Sequence, residues 1–365
     1  MAEEPRIIAA ESPGHFQLMG QIEASADNLL DVPPGSTNVG GAGYGYVLSE
    51  RLDWDPFASE NQDGSLDGID VGTDVFLYAV QQSDGRAGLI SSTNITVPGG
   101  YTEDTSHRIG GFHYGRVRTL AQAYDAGASL SVQIVPNSVW DLTHRPKCDP
   151  AGMVEIIPGR LWADIYLSSE DGTAWPDTVP LSAYNAVPLS GTEGYARGLD
   201  YPRLVRNAGK RLPTYDEFLA FAYGVPQGAT GAGDRVNTGQ HSAYGFECVS
   251  CLNIDQPSGN LWQVTSHYYD RDNSSDSWHS GDLNSGKDSA ESHGQWRGTN
   301  FRMAVVGGNW DQTAEAGARC VNLNNNPWNV NDNVGLRAVC DPLRAHRRSG
   351  LRSCPHAIRL KESGF

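Results

Sequence analysis

The chain has 365 residues with 39% hydrophobic residues, 42 glycines and 20 prolines, a length of about two domains and a composition that favours turns and strands over a helical bundle. Only 19% of residues are charged, too few for a disordered polyelectrolyte. The formal net charge of −16 repels phosphate backbones, so no nucleic-acid partner is expected, and it favours solubility.

Met1-Ala2-Glu3-Glu4-Pro5 is acidic and polar, without the basic start and apolar stretch of a classical signal peptide. No segment approaches the ~20 apolar residues of a membrane-spanning helix. Residues up to about Asp70 read as loops. Gly40-Gly41-Ala42-Gly43-Tyr44-Gly45 resembles a phosphate loop only superficially, because position six counted from Gly41 is Tyr46, so a turn is expected. Val75-Phe76-Leu77-Tyr78-Ala79-Val80 predicts a strand, and Leu130 to Val135 alternates with period two, as a half-buried strand does. Met153–Ile157 and Leu161–Leu167 flank Pro158-Gly159-Arg160 and predict a hairpin.

Thr214-Tyr215-Asp216-Glu217 has the form of a capping box and predicts a helix that stops near Gly224. The stretch Tyr268 to Trp296 is rich in Asp, Ser, Asn and Gly. Asp270, Asp272, Asp276 and Asp282 do not match a calcium loop, since position six from Asp270 is Ser275; a long solvated loop and no metal are expected. The six cysteines are Cys148, Cys248, Cys251, Cys320, Cys340 and Cys354, too few for a disulfide scaffold. Cys248-Val249-Ser250-Cys251 is compatible with half a zinc site, a redox pair or packed thiols. No second C-x-x-C exists, so buried or locally paired thiols are expected. Residues 344–365 form a basic tail, expected to be poorly ordered.

The polar run near the C-terminus is unusual. Gly307-Gly308-Asn309-Trp310, Gly317-Ala318-Arg319 and Gly335-Leu336-Arg337 frame a segment dominated by asparagine. Its glycines, Trp and Arg read as framework, and the small polar residues between them as a display surface.

Three stretches together resemble one family. Gly209-Lys210-Arg211-Leu212-Pro213-Thr214-Tyr215-Asp216-Glu217-Phe218 is similar to a helix start of the C-type-lectin-like fold shared with formylglycine-generating enzymes. Gly307-Gly308-Asn309-Trp310 with Gly335-Leu336-Arg337 resembles the final segment of that fold, and the Asn-rich interior resembles the variable region of phage proteins diversified by retroelements. Ser138-Val139-Trp140-Asp141 and His144-Arg145-Pro146-Lys147-Cys148 also look like phage-tail relatives. The resemblance implies an α+β fold, with a C-type lectin-like domain over 86–343, a strand-rich N-terminal region over 1–85 and a variable region over about 305–341.

In such proteins a reverse transcriptase copies a template repeat and mutates its adenines, and asparagine marks adenine-rich codons that escaped. The exchangeable, ligand-binding residues implied here are Asn309, Asp311, Gln312, Thr313, Glu315, Asn322, Asn324, Asn325, Asn329, Asn331 and Asn333, with Val334 at the margin. Alternation at 309, 311, 313 and 315, and at 329, 331 and 333, is expected of extended segments whose every second side chain faces solvent. Trp310, Leu323 and Val339 are expected to point inward, the glycines to supply turns or close approaches, Arg319 to be framework, and Arg337 to form an internal fork.

The function implied is receptor binding by a phage or prophage tail protein, facing a protein or glycan receptor on a target cell, with other tail components as possible partners and no catalysis or cofactor. The segment has few Tyr, Trp and Arg anchors, so weak single-site affinity reinforced by several copies is expected. Two alternatives are weighed. A formylglycine-generating enzyme needs a cysteine pair about five residues apart in the final segment, and here Asn325 stands where a partner of Cys320 would. A carbohydrate-binding lectin is only partly suggested by Trp328-Asn329-Val330-Asn331-Asp332.

Overall fold

Short turn-punctuated segments in the first third become strands. The computed structural model describes residues 8–9, 14–40, 44–271 and 276–343. Val75 to Val80 lies inside the strand Thr73–Gln81, flanked by antiparallel Arg86–Ser92 and Ser106–Val117. These three are the centre of a nine-stranded sheet that continues through Tyr44–Leu48, Gly35–Asn38 and Phe16–Leu18 on one side and Ser131–Ile134 on the other. Ile8–Ala9 pairs with Tyr44–Leu48, and Trp140–Asp141 with Ser106–Val117. A smaller sheet of Glu23–Ala26, Leu29–Val32 and Arg51–Trp54 joins the same core, built on Ile22, Leu30, Val75, Leu77, Ile109, Phe112 and Ile134.

Several expectations change here. The region before Asp70 contains strands, because segments such as Gly35–Asn38 are too short and polar to show a period yet find backbone partners on both sides. The boundary expected at residue 85 falls in a hairpin turn, and the sheet runs on to Asp141. In Ser131–Ile134 the first two residues are exposed and the last two buried, without alternation, since Asp27 covers the far end by accepting from the Ile134 N–H (3.0 Å). Residues 41–43 of the glycine-rich loop, Asp272, Cys354 and the basic tail lie outside the described residues.

The second half is built around the predicted hairpin. Met153–Ile157 pairs with Leu161–Asp164, and Val339–Cys340 adds a third strand. The helix Tyr215–Phe221 starts as expected. The Glu217 N–H donates to Thr214 Oγ1 (3.2 Å) and the Thr214 N–H to Glu217 Oε2 (2.8 Å). A second helix, Tyr201–Asn207, precedes it. Both α-helices have seven residues, and strands account for 35% of the described residues against 8% for α- and 3-10 helix together. The molecule is therefore mostly β, because glycine-rich turns stop each helix after two turns.

The last sheet has the order Val321–Asn325, Phe301–Val306, Trp262–Asp270, Val334–Gly335, with the last pair parallel. Among the described residues from Tyr268 onward, paired strands stand in place of the expected solvated loop. Ser277–Ser280 pairs with Gln295–Gly298, and Trp296 stacks on His279 at 4.0 Å. The described calcium candidates, Asp270, Asp276 and Asp282, are engaged locally. Asp270 accepts from the Thr299 and Asn300 backbone, Asp276 pairs with Arg297 at 2.8 Å, and Asp282 accepts from the Trp296 indole at 2.9 Å.

Candidate binding surface

The polar segment is fixed first by its buried framework. Arg337 is fully buried, and its guanidinium donates to the Gln263 side chain (3.0 Å) and to the backbone carbonyls of Asp164 (2.9 Å), Asp255 (2.7 Å) and Gln256 (3.1 Å). This is the expected fork. Burial lowers its pKa to about 10, which leaves it charged at neutral pH. Trp310 packs with Leu167 and Leu261, and Val339 is buried. Gly307 and Gly308 sit at φ +88° and +85°, the left-handed region a turn needs. Gly335 lies where an added Cβ would meet the Leu189 carbonyl at 2.5 Å. Gly317 departs from expectation, since its nearest neighbour would stand 3.9 Å away.

Residues 309–319 form turns, not an extended strand. The Ala316 N–H donates to the Gln312 carbonyl (2.8 Å), and the Gly228 N–H holds the Ala316 carbonyl (3.0 Å). Gln227 reaches the Ala314 carbonyl. Asp311, Thr313 and Glu315 are exposed, as expected, and so is Ala314. Asn309 is buried at 1% exposure, and Gln312 is half-buried, with Oε1 accepting from the Asn309 N–H (3.2 Å). Asn309 bridges to Asn260 because Trp310, the next residue, has to enter the core. Arg319, expected as framework, is exposed; its carbonyl accepts from the Tyr215 hydroxyl (3.0 Å).

Val321–Asn325 is an edge strand. Leu323, expected inside, is 52% exposed, and Asn324 beside it is exposed too. Asn322 and Asn325 are half-buried. Asn324 Oδ1 accepts from Arg271 Nη1 (2.6 Å) and Arg302 Nε (3.3 Å).

Residues 329–333 alternate with the opposite parity to that expected. Val330 and Asp332 are exposed, and Asn329, Asn331 and Asn333 are half-buried. The cause is Arg197, 2% exposed, whose guanidinium is gripped by the side chains of Asn325 and Asn331. The backbone follows: the N–H groups of Gly198 and Gly191 donate to the carbonyls of Pro327 (2.7 Å) and Asn331 (2.8 Å). Val334 is buried and pairs with Trp262. Trp328 is half-buried, stacked on Trp296 at 5.5 Å and tilted against Phe301. Arg197, Gln227, Arg271 and Trp296 carry no local signature in the sequence.

The cysteines of the final segment lie apart. Cys320 packs beside the cluster of Leu204, Trp262 and Val305, and burial raises its thiol to about 11. Cys340 belongs to a different cluster, with Cys148 and Trp162. Cys248 and Cys251 are separate buried thiols near the carbonyls of Ser258 (3.4 Å) and Thr119 (3.3 Å). Among the described residues no three His, Cys, Asp or Glu side chains gather to hold a metal, and no helix is long and apolar enough to cross a membrane.

The chain is 30% identical over 302 residues to the tail fiber receptor-binding protein of Bordetella phage BPP-1, spanning 76% of this chain and 74% of that protein. It belongs to the phage tropism determinant family. The family model for the Mtd second domain matches residues 30–141, the interval that completes the nine-stranded sheet. Among solved structures, the Major Tropism Determinant U1 variant matches with a TM-score of 0.68 and 26% identity, covering 88% of this chain and 83% of that one. The M1 variant matches with a TM-score of 0.69 and 24% identity, covering 93% and 86%. The tropism determinants thus share this chain's architecture across both halves.

Proposed function

We propose that this tropism determinant binds a receptor on the surface of a target cell, as part of a phage tail, through the segment 309–333. The observation that carries the reading is the division of that segment. Trp310, Val334 and Arg337 are buried with their polar groups bonded to the scaffold, and Asp311, Thr313, Glu315, Arg319, Leu323, Asn324, Val330 and Asp332 face solvent. A segment already held in place loses little conformational freedom on binding, so its outer side chains set specificity without refolding.

The family relationship and the asparagine-rich composition support a further reading. The scaffold is a C-type lectin-like domain running from about residue 142 to 343, behind an N-terminal sheet domain that ends near Asp141, and adenine-directed retroelement copying exchanges the outer residues. The receptor is a protein or a glycan, and the role is binding without catalysis or cofactor.

The test is adsorption of labelled protein to a panel of bacterial strains. Asp311→Ala, Glu315→Ala, Arg319→Ala and Asn324→Ala are expected to weaken or redirect adsorption with unchanged melting temperature. Full adsorption by all four together would overturn the assignment. Protease or periodate treatment of the cells distinguishes a protein from a glycan receptor. Monomeric protein is expected to bind far more weakly than a multivalent form.

A further inference from the structure

Two cysteines distant in sequence face each other at the closing edge of the molecule. Pro146 and Pro342 form an antiparallel bridge, with the Lys147 N–H donating to the Asp341 carbonyl (3.0 Å) and the Leu343 N–H to the Arg145 carbonyl (2.7 Å). Two residues from that bridge, Cys148 follows Lys147 on one segment and Cys340 precedes Asp341 on the other. The Lys147–Asp341 hydrogen bond holds the residues directly beside the two cysteines, and beyond them Val339 pairs with Arg211. A disulfide needs Cα atoms about 4.4–6.8 Å apart, a separation that neighbours on adjacent antiparallel segments reach. The two side chains meet, thiol against thiol. Both are buried in one cluster with Met153 and Trp162. Apart from Lys210, their polar neighbours are weak partners: the Met153 sulfur, 3.4 Å from Cys148, and the carbonyls of Asp341 and Gly209, 3.4 and 3.8 Å from Cys340.

We infer that Cys148 and Cys340 join as a cross-strand disulfide once the protein meets an oxidising environment. The surroundings favour the first step. Lys210 is buried beside both thiols and is held charged by Asp164, with Nζ 2.6 Å from Oδ1. The contact with Cys148 and the nearby ammonium lower the Cys340 thiol, while that contact and burial push Cys148 upward. The same Lys210 ammonium favours the thiolate that attacks, here Cys340. With a low-molecular-weight disulfide such as oxidised glutathione, Cys340 attacks one sulfur and releases one glutathione thiol. Cys148 then gives its proton to solvent and attacks the Cys340 sulfur, releasing the second. Two protein thiols are oxidised to one disulfide, and one glutathione disulfide is reduced to two thiols. The bond closes a long loop that contains the whole polar segment, the geometry in which a cross-link constrains the unfolded chain most.

The full chain is incubated with oxidised glutathione or with dithiothreitol, denatured, alkylated, digested without reduction and mapped by mass spectrometry. The expected result is one cross-linked species joining the Cys148 and Cys340 peptides, present only in the oxidised arm and absent from Cys148→Ser. Recovery of both residues fully alkylated after oxidation, or either joined to Cys248, Cys251, Cys320 or Cys354 instead, would overturn the inference. The map of the unsubstituted chain decides the question even where the serine variant folds poorly.

Discussion

Asn324 and Asn331 look alike in the sequence and differ in what a truncation removes. Asn324 is solvent-facing, and its arginine partners stay hydrated when it is lost. Asn324→Ala is expected to cost under ~0.5 kcal/mol in a urea melt. Asn331 grips the buried Arg197, whose guanidinium burial has already lowered to about 10. Asn331→Ala leaves a buried charged donor short of an acceptor and is expected to cost about 1–3 kcal/mol in the same melt. Equal costs for the two would contradict the contact. This contrast explains what could be read from the sequence. Trp310, Val339 and Arg337 were legible as framework because a large ring, a branched chain or a five-donor fork has few environments that satisfy it. An asparagine is satisfied by water or by a partner, and Arg197 is too distant in sequence for the choice to show.

At the scale of elements, the turn 309–319 hangs from the sheet by Trp310. Its ring packs on Leu167 and Leu261, its N–H donates to the Asn260 carbonyl (3.0 Å), and its carbonyl accepts from Gly231 (3.0 Å). Trp310→Ala is expected to cost ~3–5 kcal/mol in thermal or urea unfolding, the range for removing a large buried aromatic. A cost below ~1 kcal/mol would mean the turn is held by its backbone alone. The helix Tyr215–Phe221 and the hairpin after Met153 were readable because caps and turn residues act over three or four positions. The hairpin Ser277–Ser280 with Gln295–Gly298 was not, because its hold is the stacking of Trp296 on His279 and Trp328.

At the scale of the molecule, the N-terminal sheet is tied to the second half by charge as well as by packing. Arg116, on the strand Ser106–Val117, pairs with Glu247 at 3.0 Å. Glu247 and Asp255 in turn hold the buried His241 at 2.6 and 2.9 Å. Burial opposes a charge on His241, but Asp255 and Glu247 outweigh it and push its pKa up to about 9. A raised histidine stabilises fully below its ordinary value near 6.5 and loses that contribution as pH rises through about 9. A shift of this size corresponds to about 3 kcal/mol. Stability is therefore expected to fall between pH 6.5 and 9, and His241→Gln to flatten that slope. An unchanged slope in the variant would show that another group titrates. The mostly β character of the whole was partly legible in the glycine and proline content, but the joining of its halves was not. It rests on residues such as Arg116 and Asp255, which only the folded chain brings together.

Trp328 has a consequence written in the genetic code. Its ring leans on Trp296 and Phe301, so it steadies the neighbouring hairpin from inside the polar segment. Tryptophan's single codon contains no adenine, whereas both asparagine codons begin with two. Copying errors confined to adenine would pass over Trp310 and Trp328 and fall heavily on the asparagines between them. The two aromatic props of this segment would then be spelled in letters the editor cannot change.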